Sequence, residues 1–105
     1  MRYEVLCFLA QQSAEKSLKA ILIYYDKPFP KTHSIGHLIM LLKEEGLSIP
    51  VAVMKAESLT DYAVRSRYPE MDETEKKEYS EAVKLATKVF EWAKSVIRKN
   101  PRKLF

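Results

Sequence analysis

The chain has 105 residues, room for one domain and one hydrophobic core. Hydrophobic residues make up 47% and charged residues 30%, a globular composition that excludes a disordered chain. The net charge of +4 sits partly in Arg98, Lys99, Arg102 and Lys103. Such a basic end either attracts phosphate or complements the carboxyl end of a helix, and the second is the simpler reading.

Residue usage narrows the class further. Two glycines are too few for a turn-rich β fold, so long helices with short connections are expected. A single cysteine, Cys7, forms no internal disulfide and reads as a small core residue. No apolar run approaches the roughly 18 residues of a membrane span. No secretory pattern opens the chain, so the expected compartment is the cytoplasm, with no membrane partner. Internal repeats and cofactor motifs are absent from the sequence.

The first helix is predicted over residues 3–25. Tyr3, Cys7, Ala10, Ala14, Leu18, Ile21 and Tyr25 step by three and four and form one apolar stripe. Leu6, Leu9, Ala20 and Tyr24 form a second stripe beside it. What remains polar is a narrow strip of Gln12, Glu15, Lys16 and Lys19, so the helix should be buried from more than one side. Pro28 and Pro30 end it.

A short second helix follows over 35–45, with Ser34 as N-cap, Gly46 at its C-terminal end, and Leu38, Leu41 and Leu42 facing the core. Pro50 opens a third helix over 51–62, where Val51, Met54, Ser58 and Tyr62 share a face. Periodicity is lost from 63 to 71. Asp72 and Glu75 have the spacing of a capping box for a last helix ending near Arg98. There Tyr79, Ala82, Ala86, Val89, Ala93 and Val96 form one stripe, and Val83, Ala86, Phe90, Ala93 and Ile97 another. Leu85 and Trp92 widen this surface to an arc of roughly 180°, more than one neighbouring layer covers. The surplus predicts a two-fold dimer, with Leu85 and Trp92 as interface candidates; a further helix from elsewhere is the competing explanation. The expected architecture is all-α, an up-and-down bundle of four main helices over residues 1–98 with a basic tail at 99–105.

Residues 3–20, with Phe8, the pair Gln11-Gln12, Glu15-Lys16 and Lys19-Ala20, resemble the signature helix of prokaryotic HEPN domains. Lys31-Thr32-His33-Ser34 resembles the family's Thr-His turn, and Arg65-Ser66-Arg67-Tyr68-Pro69 its Arg-rich loop ending in Tyr-Pro. The first motif is fairly specific; the other two persuade through their order. The resemblance implies a dimeric helical bundle encoded beside a minimal nucleotidyltransferase (MNT), binding nucleotides or, in toxin members, cleaving RNA. That cleavage uses an arginine followed after four to six residues by a histidine.

Two departures matter. The signature helix usually follows another helix, yet here it starts at residue 1, as in a shortened member or a chain whose start is assigned too late. The ribonuclease motif is also missing. Glu70, Met71 and Asp72 stand where Arg65 would need its histidine, and Asp72, Glu73 and Thr74 where Arg67 would. Without that imidazole the family's route lacks its proton carrier.

The expected site is therefore for binding. Gln12, Glu15 and Lys19 lie on one strip of the first helix, where Glu15 and Lys19 have the order of an i,i+4 ion pair. Either this strip is a solvated, self-neutralised face, or it lines a cleft with Arg65, Arg67 and Tyr68. In the cleft, guanidinium groups would hold a phosphate and the tyrosine would stack on a base. Arg65 and Arg67 have a plain alternative in pairing with Glu70, Asp72 and Glu73. His33 and His37, four apart, have no supporting ligands for a metal and read as structural or capping residues. The leading expectation is a non-nucleolytic nucleotide- or RNA-binding module working with an MNT partner in a toxin–antitoxin-like pair. The alternatives are a pure protein-interaction dimer and a ribonuclease using Glu15 or Tyr68 as an unusual base.

Overall fold

Helix α1 (Tyr3–Tyr24) carries the first stripe inward: Cys7, Ala10, Ala14, Leu18 and Ile21 are all buried. The computed structural model describes residues 3–65 and 76–99. Asp26 ends α1 in the left-handed region at φ 62°, with its N–H donating to the Ile23 carbonyl and that of Lys27 to Leu22. This paired closure satisfies carbonyls that the last turn would leave open, ahead of the two prolines.

Helix α2 (Ile35–Glu44) is held at both ends as its sequence predicts. The Ser34 hydroxyl accepts from the His37 N–H, and Gly46 adopts φ 87° while Leu47 N–H closes onto the Leu42 carbonyl. Ile35, Leu38, Ile39 and Leu42 are buried, and Leu41 is half-buried. Ile35 extends the expected leucine face by one helical turn, and Ile39 widens it.

The third predicted helix is segmented. Helix α3 (Val51–Lys55) tightens into a 3-10 turn (Ala56–Leu59) and continues as α4 (Thr60–Arg65). Its buried face is Val53, Ala56 and Leu59, three apart, as suits a tightened turn in which such positions eclipse. Of the four residues read as one face, Val51, Met54 and Ser58 are exposed and only Tyr62 packs on the core.

Helix α5 (Lys76–Lys99) buries Ala82, Ala86, Val89, Ala93 and Val96 against α1. The small residues let the two long helices approach closely. Both run in the same direction: Tyr3 stacks on Tyr79 with ring centroids 5.6 Å apart, and Ala20 shares a groove with Ile97 further along. Helices α2 to α4 therefore make up the return. The expected capping box at Asp72 and Glu75 lies outside the described residues.

Exposed apolar side chains remain on α1 and α5 among the described residues, Leu9, Val83 and Phe90 among them. Leu85 and Trp92 are half-buried and pack on the core. Leu9 and Phe90 are 55% and 50% exposed, and with Leu6 and Val83 they line an open groove between the two helices. Leu9 and Ala20 of the second α1 stripe thus remain exposed among the described residues, while Leu6 and Tyr24 are half-buried. Among the described residues, no helix is long and apolar enough to cross a membrane.

Candidate functional site

The polar strip of α1 is solvated only in part, Lys16 being its exposed member. Glu15 is fully buried, and so is Gln11, one turn before it. A bare carboxylate at such depth would be costly, and four neighbouring groups offset that cost. Lys19 Nζ lies 2.8 Å from Glu15 Oε2, the i,i+4 pair expected from spacing, with Lys19 itself largely covered and its ammonium 5.6 Å from the centre of the Phe29 ring. Lys16 Nζ stands 3.6 Å from the same oxygen on the exposed side. The other oxygen, Oε1, accepts from Gln11 Nε2 at 3.0 Å and meets His33 Nδ1 at 2.9 Å.

The amides extend the network. Gln11 Nε2 also donates to the His33 carbonyl at 3.3 Å, and Gln11 Oε1 accepts from Gln12 Nε2 at 2.8 Å. Gln12 therefore touches the carboxylate only through Gln11.

The turn that delivers His33 is fixed residue by residue. Thr32 Oγ1 accepts from the Ser34 N–H at 3.0 Å, Ser34 caps α2, and Thr60 Oγ1 of α4 accepts from the Ile35 N–H at 3.0 Å. Two short polar side chains and one from across the bundle thus hold the loop between α1 and α2. His33 is pinned on both sides, by its carbonyl to Gln11 and by its ring to Glu15.

Burial pushes the Glu15 carboxyl up, but hydrogen bonds from Lys19, His33 and Gln11, together with the Lys19 charge, outweigh it and hold the pKa at about 2. Glu15 is consequently ionised at neutral pH and both its oxygens are occupied. Such a group is too weak a base to take a proton from substrate, which argues against Glu15 as the unusual base.

Of the residues expected at the site, Gln12, Glu15 and Lys19 come together. The described part of Arg65 is its backbone, the last residue of α4, while Arg67 and Tyr68 lie outside the described residues. Sequence reasoning missed Gln11 and His33. Gln11 had a usable signal, since it stands four residues before Glu15 and shares its helix face. His33 was marked only by its place in the Thr-His turn and not by spacing, because it lies 18 positions further along the chain, beyond the end of α1.

The family model for the HEPN domain matches residues 1–96. The chain belongs to the HEPN family. The match spans the signature helix, the Thr-His turn and most of α5. At the family level, HEPN membership implies a nucleotide- or RNA-related module. No curated protein and no solved structure is similar at a significant level. In this HEPN domain, then, the signature Gln-x3-Glu-x3-Lys positions and the Thr-His turn form one polar network, with the glutamate as its buried centre.

Proposed function

We propose that this HEPN domain binds a nucleotide or RNA without cleaving it by the family's arginine–histidine route. The observation that carries the reading is the charge balance around Glu15. One buried carboxylate faces two ammonium groups, Lys16 and Lys19, which leaves a surplus positive charge at the surface beside the exposed ring of His33. A phosphate is the complementary ligand. Arg65, Arg67 and Tyr68 are proposed to complete the site with phosphate contacts and a stacking face.

The proposed setting is a homodimer paired with an MNT-type nucleotidyltransferase in a toxin–antitoxin-like arrangement. Exposed Leu9, Val83 and Phe90 support an interface along α1 and α5, with Leu85 and Trp92 contributing where their half-buried edges emerge. The same apolar groove favours the second reading, a protein-interaction dimer with no ligand. Calorimetric titration with several nucleotides separates the two: heat of binding is expected, and none in a folded protein would favour the interaction module. Incubation with RNA should leave it intact; cleavage that Arg65→Ala abolishes would refute the non-nucleolytic claim.

A further inference from the structure

The Glu15–His33 contact has a chemical consequence for the ring. An ionised carboxylate accepts only, so His33 Nδ1 must be the donor, and in the neutral imidazole Nε2 is then left with its lone pair free to accept. Gln11 and Lys19 hold the carboxylate ionised, while Gln11 also fixes the His33 backbone, so both the tautomer and the placement of the ring are preset. The ring is 57% exposed, and no further bond to it is found among the described residues. With the ring neutral, the surface offers a hydrogen-bond acceptor next to a surplus cationic charge from Lys16 and Lys19. Its complement is a ligand presenting a hydroxyl donor close to a phosphate.

Within a nucleic-acid strand the ribose 2′-hydroxyl is that donor, since the 3′ oxygen is esterified and DNA lacks the group. We infer that His33, oriented by Glu15, reads the ribose 2′-hydroxyl through Nε2 and makes this site selective for RNA over DNA. The inference rests on the proposed nucleic-acid binding and names the class of strand. No bond is made or broken in it.

Fluorescence anisotropy with three short single strands of one sequence tests it: ribose, deoxyribose and 2′-O-methyl. The 2′-O-methyl strand keeps the sugar pucker of RNA and removes only the donor hydrogen. The ribose strand should bind roughly two- to tenfold more tightly than either other strand, the span of one neutral hydrogen bond. His33→Asn should abolish that preference while leaving the fold intact, because the asparagine amide can still donate to Glu15 but offers no group in place of Nε2. Lys16→Gln should weaken all three strands alike and leave the ratio unchanged. Equal binding of the three strands by the unmodified protein overturns the selectivity and leaves the proposed function standing. A preference that survives His33→Asn overturns the assignment to His33. Failure to bind any strand overturns the proposed nucleic-acid binding and this inference together.

Discussion

His33 Nδ1 lies 2.9 Å from Glu15 Oε1, joining the turn before α2 to the middle of α1 across 18 residues of chain. Gln11 supports the pair by bonding both the Glu15 side chain and the His33 backbone. The contact links the signature helix to a residue whose sequence position suggested only a structural or capping role.

Replacing Glu15 should be among the most damaging single changes. Glu15→Ala deprives the largely covered Lys19 of the carboxylate it pairs with, and Gln11 and His33 lose an acceptor. A loss of about 2–4 kcal/mol in urea denaturation is expected. A loss below about 1 kcal/mol would mean that the network contributes little to the fold.

The same carboxylate sets an acid limb of stability. Its folded pKa, about 2, lies below the ordinary value of 4.5, so the unfolded chain binds the proton more readily. The stabilisation is therefore fully present above about pH 4.5 and lost as pH falls towards 2, with a size on the order of 3 kcal/mol. Denaturation midpoints measured from pH 7 down to pH 2 should show a flatter limb in Glu15→Gln than in the unmodified protein. Parallel limbs would disprove the assignment to Glu15.

Two helix ends make opposite backbone predictions. Asp26 occupies the left-handed region without being glycine, so Asp26→Gly should stabilise by about 0.5–1 kcal/mol. Gly46 occupies the same region, and an added Cβ meets nothing within 4 Å, so the cost of Gly46→Ala comes from the backbone alone. A destabilisation of about 1 kcal/mol is expected in thermal or urea melts.

Phe90 and Trp92 should separate association from folding. Trp92 packs on the core, and Trp92→Ala should cost about 2–3 kcal/mol. Phe90 is half-exposed on the α1–α5 groove, and Phe90→Asp should leave the melt within about 0.5 kcal/mol once the protein is monomeric. Sedimentation velocity should then show a dimer for the unmodified protein and a monomer for Phe90→Asp. A dimer that survives the charge would move the interface elsewhere.

Much of the fold was written in local patterns. The stripe Cys7, Ala10, Ala14, Leu18 and Ile21 announced the inward face of α1, and Ala82, Ala86, Val89, Ala93 and Val96 that of α5, because helical period and apolarity suffice to define a face. Ser34 and Gly46 announced the ends of α2 for the same reason: caps are made within a few residues. The tightening at Ala56–Leu59 was not legible, since it follows from packing three residues inward at a spacing that also fits an ordinary helix.

The candidate site divides in the same way. Sequence by itself determined that Gln12, Glu15 and Lys19 share a region of one helix and that Glu15 and Lys19 pair. Only the tertiary structure decided that Glu15 is buried, that Gln11 rather than Gln12 touches it, and that His33 completes it. Helical spacing specifies neighbours on a surface but not which part of that surface another segment covers. That choice was made when the loop after α1 folded back over Gln11 and Glu15, and it turned an apparently solvated strip into the centre of the site.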